Sequence, residues 1–253
     1  SSDLGMAVGS VIVITSGKGG TGKTSLTGGV GASLALLGKQ VLCLDGDVGL
    51  RNLDITLGMT DAALMDFSDV MAGRCDLSRA AVPHPTVSGL HLLTAPLTLP
   101  GDFPGEAGFQ ALLQQAREAY DYVLIDSPAG LGPGFRLAVC GADRAIVVAV
   151  SDPSSLRDAQ RVVTQLSQLE TIHLVVNRVR PRLLRRQNTT IDDAMDTAGL
   201  PLLGLVPEDP KVVLAATEGR PLAQLGARRG AVRAYENIAR RLTGQPVPLM
   251  GLR

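Results

Sequence analysis

The 253-residue chain has no tryptophan and only 3% aromatic residues. Stacking of bases on aromatic platforms, the usual device of single-strand nucleic-acid binding, is therefore unsupported. Cysteine is scarce as well: Cys43, Cys75 and Cys140 lie far apart, with no C-x-x-C pair. That suggests neither a disulfide framework nor a zinc or iron–sulfur site, and the three read as reduced, structural thiols of a cytosolic protein. Net charge is absent, because Lys plus Arg total 24 and Asp plus Glu total 24. No overall field draws nucleic acid or anionic lipid, so such a partner must be met by a local patch. No apolar run approaches the ~18 residues needed to span a bilayer, and the N-terminus lacks a charged region followed by a secretory core.

What is present is a composition of 45% hydrophobic and 19% charged residues, ample for one large α/β core. Short apolar runs at 11–15, 41–45, 90–93, 122–126, 145–150, 172–177 and 202–206 alternate with amphipathic or loop-rich segments. The alternation predicts an α/β fold, a single-domain, doubly wound and mostly parallel sheet flanked by helices. Runs such as 145–150 show no polar alternation, as central strands covered on both faces require. The expected domain covers 11–243. Residues 1–10 are expected to be a tail, with 1–5, ahead of Met6, a cloning remnant. Residues 244–253 carry two prolines and two glycines and are expected to be irregular.

Residues 17–24 read GKGGTGKT, between the β-branched run 11–15 and the apolar stretch 26–37. Gly17, Gly22, Lys23 and Thr24 satisfy G-x-x-x-x-G-K-[ST], the loop that follows a strand, opens a helix and cradles phosphate. Gly17, Gly19, Gly20 and Gly22 permit backbone angles that turn successive N–H groups inward, while the helix N-terminus adds partial positive charge. Lys23 would meet the β- and γ-phosphates and the Thr24 hydroxyl would take a Mg²⁺ position. Lys18 is the departure from the plain template, a hydrated point charge placed beside the cradle.

In a doubly wound sheet ligands sit at the carboxyl ends of strands. The run 41–45 ends in Asp45, with Asp47 two residues on; such a pair could serve a metal's water shell and an attacking water. The run 122–126 is Tyr122, then Val123, Leu124 and Ile125, then Asp126, a Walker B pattern whose carboxylate holds Mg²⁺ directly or through water. The run 172–177 ends at Asn177, whose amide offers a donor and an acceptor suited to a purine edge. Pro207, Glu208 and Asp209 follow the last run, where their backbone could line the same base. Turn capping is the alternative reading for Asp45, Asp47, Asn177 and the 207–209 segment, while the Asp126 pattern, weak alone, gains its weight from the loop that precedes it.

GKGGTGKT resembles the deviant Walker A motif of the MinD/ParA family of ATPases, in which the early lysine crosses a dimer interface to the partner's nucleotide. DGDVGLRNLD at 45–54, DVMAGRCDLSRA at 69–80, LHLLTAP at 90–96, DSPAG at 126–130 and VPEDPKV at 206–212 extend the resemblance over nearly the whole chain. GLRNLD favours the MinD branch, which positions bacterial division, over the plasmid-partition and flagellar-number branches.

The resemblance implies an ATPase using ATP/ADP and Mg²⁺. Lys18, Lys23 and Asp47 would be its catalytic set, with Lys18 acting across the dimer and Asp47 orienting the attacking water. Thr24, Asp45 and Asp126 would serve the Mg²⁺. Gly17, Lys18, Gly19, Gly20, Thr21, Gly22, Lys23, Thr24 and Ser25 would bind the phosphates. Asn52, in the switch segment, and Gly130 would join the nucleotide site, with Asn177, Pro207, Glu208 and Asp209 around adenine. The implied partners are a second copy of the chain, MinC-like and MinE-like division regulators and a membrane surface. The implied location is the cytoplasm and, in the ATP state, the cytoplasmic face of the inner membrane. The family's basic amphipathic membrane helix does not match 244–253; it is expected to lie beyond them, the alternative being that this protein does not bind membrane in that way.

A ParA-like DNA-binding partition ATPase is the competing class. Arginines at 178, 180, 182, 185 and 186, and at 228, 229, 233, 240 and 241, would be its phosphate contacts, with solvated surface as the plainer reading. An iron–sulfur relative sharing the loop lacks support, since Cys140 has no partner spaced to ligate a cluster.

Overall fold

The computed structural model describes residues 8–180, 182, 190–221 and 229–249. Among these residues eight strands form one sheet: β1 (Ser10–Thr15), β2 (Val41–Asp45), β3 (Val82–Pro83), β4 (Leu90–Leu93), β5 (Tyr122–Asp126), β6 (Arg144–Val150), β7 (Thr171–Val179) and β8 (Leu202–Pro207). Their order is β3-β4-β2-β5-β1-β6-β7-β8, parallel except for β3. The helices among the described residues include α1 (Lys23–Leu36), α2 (Leu53–Leu57), α3 (Phe67–Met71), α4 (Leu77–Ala80), α5 (Gly105–Ala119), α6 (Pro133–Val139), α7 (Pro153–Thr164), α8 (Ile191–Ala198), α9 (Pro210–Glu218) and α10 (Gly230–Leu242).

The period-2 alternation of side chains divides the core. Val11, Val13, Leu42 and Leu44 face one side, with Phe109 of α5, Phe135 of α6 and Leu156 of α7. Ile12, Ile14, Val41 and Cys43 face the other, with Leu26 of α1 and Tyr235 and Ile238 of α10. Both faces of the central strands are covered, which is why those runs show no polar alternation. The α1–α10 contact is close: a Cβ on Gly29 would stand 2.2 Å from the Tyr235 ring.

One strand reading is corrected, and one strand is additional. β7 continues through Arg178 to Val179, so Asn177 lies inside the strand instead of at its end. The ladder to β8 is irregular between Val176 and Val179, and Arg178 adopts φ 51°, so the strand resumes after the interruption. β3 had no strand signal in the sequence. It is two residues long, contains a proline and pairs antiparallel at the sheet edge, where a missing N–H costs no ladder bond.

β2, β5 and β1 are neighbours, with Asp45 opposite Asp126 and Ile14 opposite Asp126 in register. This brings the two aspartates and the loop after β1 to one end of the sheet.

Candidate nucleotide-binding site

The loop between β1 and α1 turns on Gly22, the residue before α1, at φ 85°. A Cβ there would stand 2.2 Å from Asn177 Nδ2, so both conformation and space call for glycine. Asn177 is buried and donates from Nδ2 to the Thr21 carbonyl at 2.8 Å, tying β7 to the loop. Gly19 and Gly20 face open space, with nothing within 4 Å of a Cβ on either. At the rear, the Gly130 N–H donates to the Ser16 carbonyl at 3.3 Å, setting the segment after β5 against the loop.

Lys23, Thr24 and Asp126 converge. Lys23 Nζ donates to Asp126 Oδ1 at 2.7 Å, and the Thr24 hydroxyl donates to Asp126 Oδ2 at 2.7 Å. The Lys23 and Asp126 side chains are 9% and 2% exposed, so this is a desolvated ion pair. Thr27 adds a weaker hydroxyl contact to the same carboxylate at 3.4 Å. An ammonium, a hydroxyl and a carboxylate in one cluster are the kind of donor set that could hold phosphate and Mg²⁺.

Asp45 is buried beside this cluster. Its Oδ1 accepts the Asp47 N–H at 2.9 Å and its Oδ2 accepts the Leu53 N–H at 3.1 Å, so one carboxylate clasps both ends of the 46–52 loop. Burial pushes the Asp45 carboxyl up to about 6; the Asp47 amide bond opposes this and the Asp126 charge adds to it. Asp47 stands at the loop's start, its carboxyl also raised by burial, with Lys23 opposing and Asp126 adding. It opens on a cavity of about 420 Å³ lined also by Val48, Pro128 and Phe135. Asn52 precedes α2, is exposed and makes no side-chain cap.

Lys18 is held elsewhere. Its Nζ is 3.4 Å from both Asp152 oxygens and 3.0 Å from Ser154 Oγ, at the start of α7. Burial raises the Asp152 carboxyl, but hydrogen bonds from Ser154 and Ser155 and the Lys18 charge bring it below the usual carboxylate range. Asp152 escaped the sequence reading although it follows the run 145–150, where a strand end should have drawn attention.

The second half of the site is a groove of about 580 Å³ lined by Gly22, Ser25, Asn177, Pro207, Glu208 and Asp209 together with Arg178, Val212, Val213 and Tyr235. Of the residues read from the sequence, Ser25 and the 207–209 segment meet Asn177 here. Asp209 also caps two helices, accepting the Lys211 N–H of α9 and the Ala231 N–H of α10, each at 3.0 Å. Arg178 and Tyr235 were not foreseen as lining residues.

Most described arginines of the two clusters are engaged within the chain. Arg180 pairs with Glu208, Arg233 and Arg240 with Glu236, and Arg241 donates to the carbonyls of Leu203, Val247 and Pro248. Arg185, Arg186 and Arg228 lie outside the described residues. No helix among the described residues is long and apolar enough to cross a membrane, and none of their His, Cys, Asp and Glu form a group of three that could hold a metal ion.

A parallel sheet whose first strand feeds a phosphate loop, with paired carboxylates on the neighbouring strands, defines a P-loop nucleoside triphosphatase. The model of the CobQ/CobB/MinD/ParA nucleotide-binding domain matches residues 12–222, and the chain belongs to that family. It is 41% identical over 250 residues to the septum site-determining protein MinD of Bacillus subtilis, covering 97% of this chain and 93% of that protein. Among solved structures it is similar to a chain of the MinC:MinD cell division complex of Aquifex aeolicus, with TM-score 0.88, 38% identity and coverage of 96% and 98% of the two chains. It is also similar to MinD of Pyrococcus horikoshii complexed with Mg-ADP, with TM-score 0.80, 28% identity and coverage of 92% and 95%.

Proposed function

We propose that this P-loop ATPase binds ATP with Mg²⁺, dimerises around two nucleotides and acts in division-site placement as MinD proteins do. The observation that carries the proposal is the division of labour between its two loop lysines. Lys23 is committed to the cradle through Asp126, while Lys18 is engaged at Asp152 and Ser154 on the rim. A lysine outside its own cradle is available to a second subunit's nucleotide.

Thr24 and Asp126 would hold the Mg²⁺, with Asp45 in its outer shell. That ion, when bound, would supply positive charge to offset the negative charge of the phosphates. Lys23 exchanges Asp126 for phosphate, and the loop N–H groups from Gly17 to Thr24 bind its oxygens. Asp47, tied to Asp45 through its N–H, orients the attacking water, with Asn52 farther along the same loop. Asn177 reads the base edge and the 207–209 segment lines the base. Phosphoryl transfer asks mainly for positioning and charge neutralisation, so a monomer lacking the partner's Lys18 hydrolyses slowly.

The partners of this reading are a second copy of the chain, a MinC-like inhibitor, a MinE-like activator and a membrane surface on the cytoplasmic side. The Aquifex aeolicus complex supports the MinC-like partner. Hydrolysis rate per subunit, measured against protein concentration, tests the core of the proposal. A rate that rises with concentration and saturates is expected; a rate independent of concentration contradicts assembly. Sedimentation with anionic vesicles in ATP and in ADP tests the membrane partner.

A further inference from the structure

Arg178 holds a backbone conformation that a residue with a side chain avoids. Its φ of 51° lies in the left-handed region, inside a β-strand. Strain of this kind persists where the surroundings over-determine it, and it clusters at functional sites. The irregular β7–β8 register between Val176 and Val179 spans the same residue, and such interruptions re-aim side chains beside active sites.

The side chain is aimed at the base groove. Its Nε lies 3.8 Å from where a Cβ on Gly22 would stand, at the turn into α1. Its charge acts on the Tyr235 hydroxyl and the Glu208 carboxylate, both lining residues of the groove. Yet the guanidinium donates no hydrogen bond and closes no ion pair with any described residue, unlike Arg180, Arg233, Arg240 and Arg241. Pro207, Val212 and Val213 give the groove an apolar wall, and Asn177 gives it a polar edge.

We propose that Arg178 is a nucleotide-positioning residue whose planar guanidinium packs on the face of the purine base held in this groove. The inference rests on the nucleotide-binding reading above and adds to it a cation on the base. A guanidinium is flat and weakly hydrated, so it gives up little water to lie on the electron-rich face of an aromatic ring. An ammonium at the same position is a hydrated point charge and does not substitute for it. The strained backbone and a cation without an ion pair among the described residues then share one cause.

Calorimetric titration of the wild type, Arg178→Lys and Arg178→Gly with ADP and with tripolyphosphate, both with Mg²⁺, tests the inference. ADP affinity is expected to fall about tenfold in both variants, while tripolyphosphate, which has no base, binds all three proteins alike. Arg178→Gly relieves the positive φ, so its melting temperature is expected to be no lower than that of the wild type, which separates lost affinity from lost fold. Unchanged ADP affinity in the variants, with ADP bound by the wild type, overturns the role of Arg178 alone. Equal weakening of ADP and tripolyphosphate overturns the base contact. A wild type that binds neither ligand overturns the nucleotide-binding reading itself.

Discussion

Lys18 and Asp152 are 134 residues apart in sequence and form an ion pair at 3.4 Å, with Ser154 as a second acceptor for the ammonium at 3.0 Å. Their side chains are 37% and 42% exposed, so the pair contributes no more than ~1 kcal/mol. Such an attachment restrains the lysine without locking it. Asp152→Asn keeps the cap on Ser155 and removes the charge, so stability is expected to stay within ~1 kcal/mol of the wild type. With Lys18 released, the ATP concentration for half-maximal dimerisation is expected to fall. Light scattering across an ATP titration checks this, and an unchanged midpoint would mean that Asp152 does not restrain the switch.

Lys23→Ala leaves Asp126 buried with only hydroxyl donors around it. Removing one member of a desolvated pair costs about 3 kcal/mol or more, because the remaining charge is uncompensated. Urea unfolding without nucleotide should show that loss, together with abolished ATPase activity. Lys23→Ala with wild-type stability would show that the ion pair contributes nothing to the fold.

Lys23, Thr24 and Asp126, each singled out from the sequence, stand within hydrogen-bonding distance of one another in the fold. Val123 to Asp126 and the GKGGTGKT loop are local patterns, each with its chemistry written in consecutive residues. What could not be read was pairing across the fold. Lys18 meets Asp152, and His84 meets Leu57, only because the sheet order brings distant loops together. The extension of β7 past Asn177 was hidden because Arg178 breaks the apolar run, and β3 carries too few residues for any period. Arg178 and Tyr235 line the groove beside Asn177 through a strained backbone angle and a helix packing on Gly29, neither of which leaves a sequence signature.

Asp45 contributes to stability with a definite sign. Its folded-state carboxyl is raised from 3.8 to about 6, so the folded protein binds that proton more tightly than the unfolded chain. The resulting stability is complete below the unfolded value and lost as pH rises through about 6. At pH 7.5 the buried charge is a cost, and Asp45→Asn is expected to raise stability by about 1–2 kcal/mol without nucleotide while lowering the hydrolysis rate. Denaturant unfolding at pH 7.5 and pH 5 checks the sign; the gain should shrink at the lower pH. A variant less stable at both values would show that clasping the loop outweighs burial.

His84 acts in the opposite direction. Its Nδ1 accepts the Val87 N–H at 3.0 Å while its Nε2 lies 2.9 Å from the Leu57 carbonyl, so the neutral ring bridges α2 and the turn before β4. Burial lowers its basicity, with the Leu57 hydrogen bond opposing. The stability it supplies is present above the ordinary histidine value near 6.5 and lost as pH falls below it. His84→Asn is expected to melt lower than the wild type at pH 7.5 and to lose less on going to pH 5.5. Equal losses in the two proteins would remove His84 from the pH response.

The central claim is that Lys18 serves a second subunit's nucleotide. Multi-angle light scattering of Lys18→Ala with ATP and Mg²⁺, beside calorimetric ADP binding by the same variant, tests it most directly. The expected result is a monomer at concentrations where the wild type is a dimer, with ADP affinity substantially retained. A Lys18→Ala protein that dimerises with ATP as the wild type does would contradict the cross-subunit role.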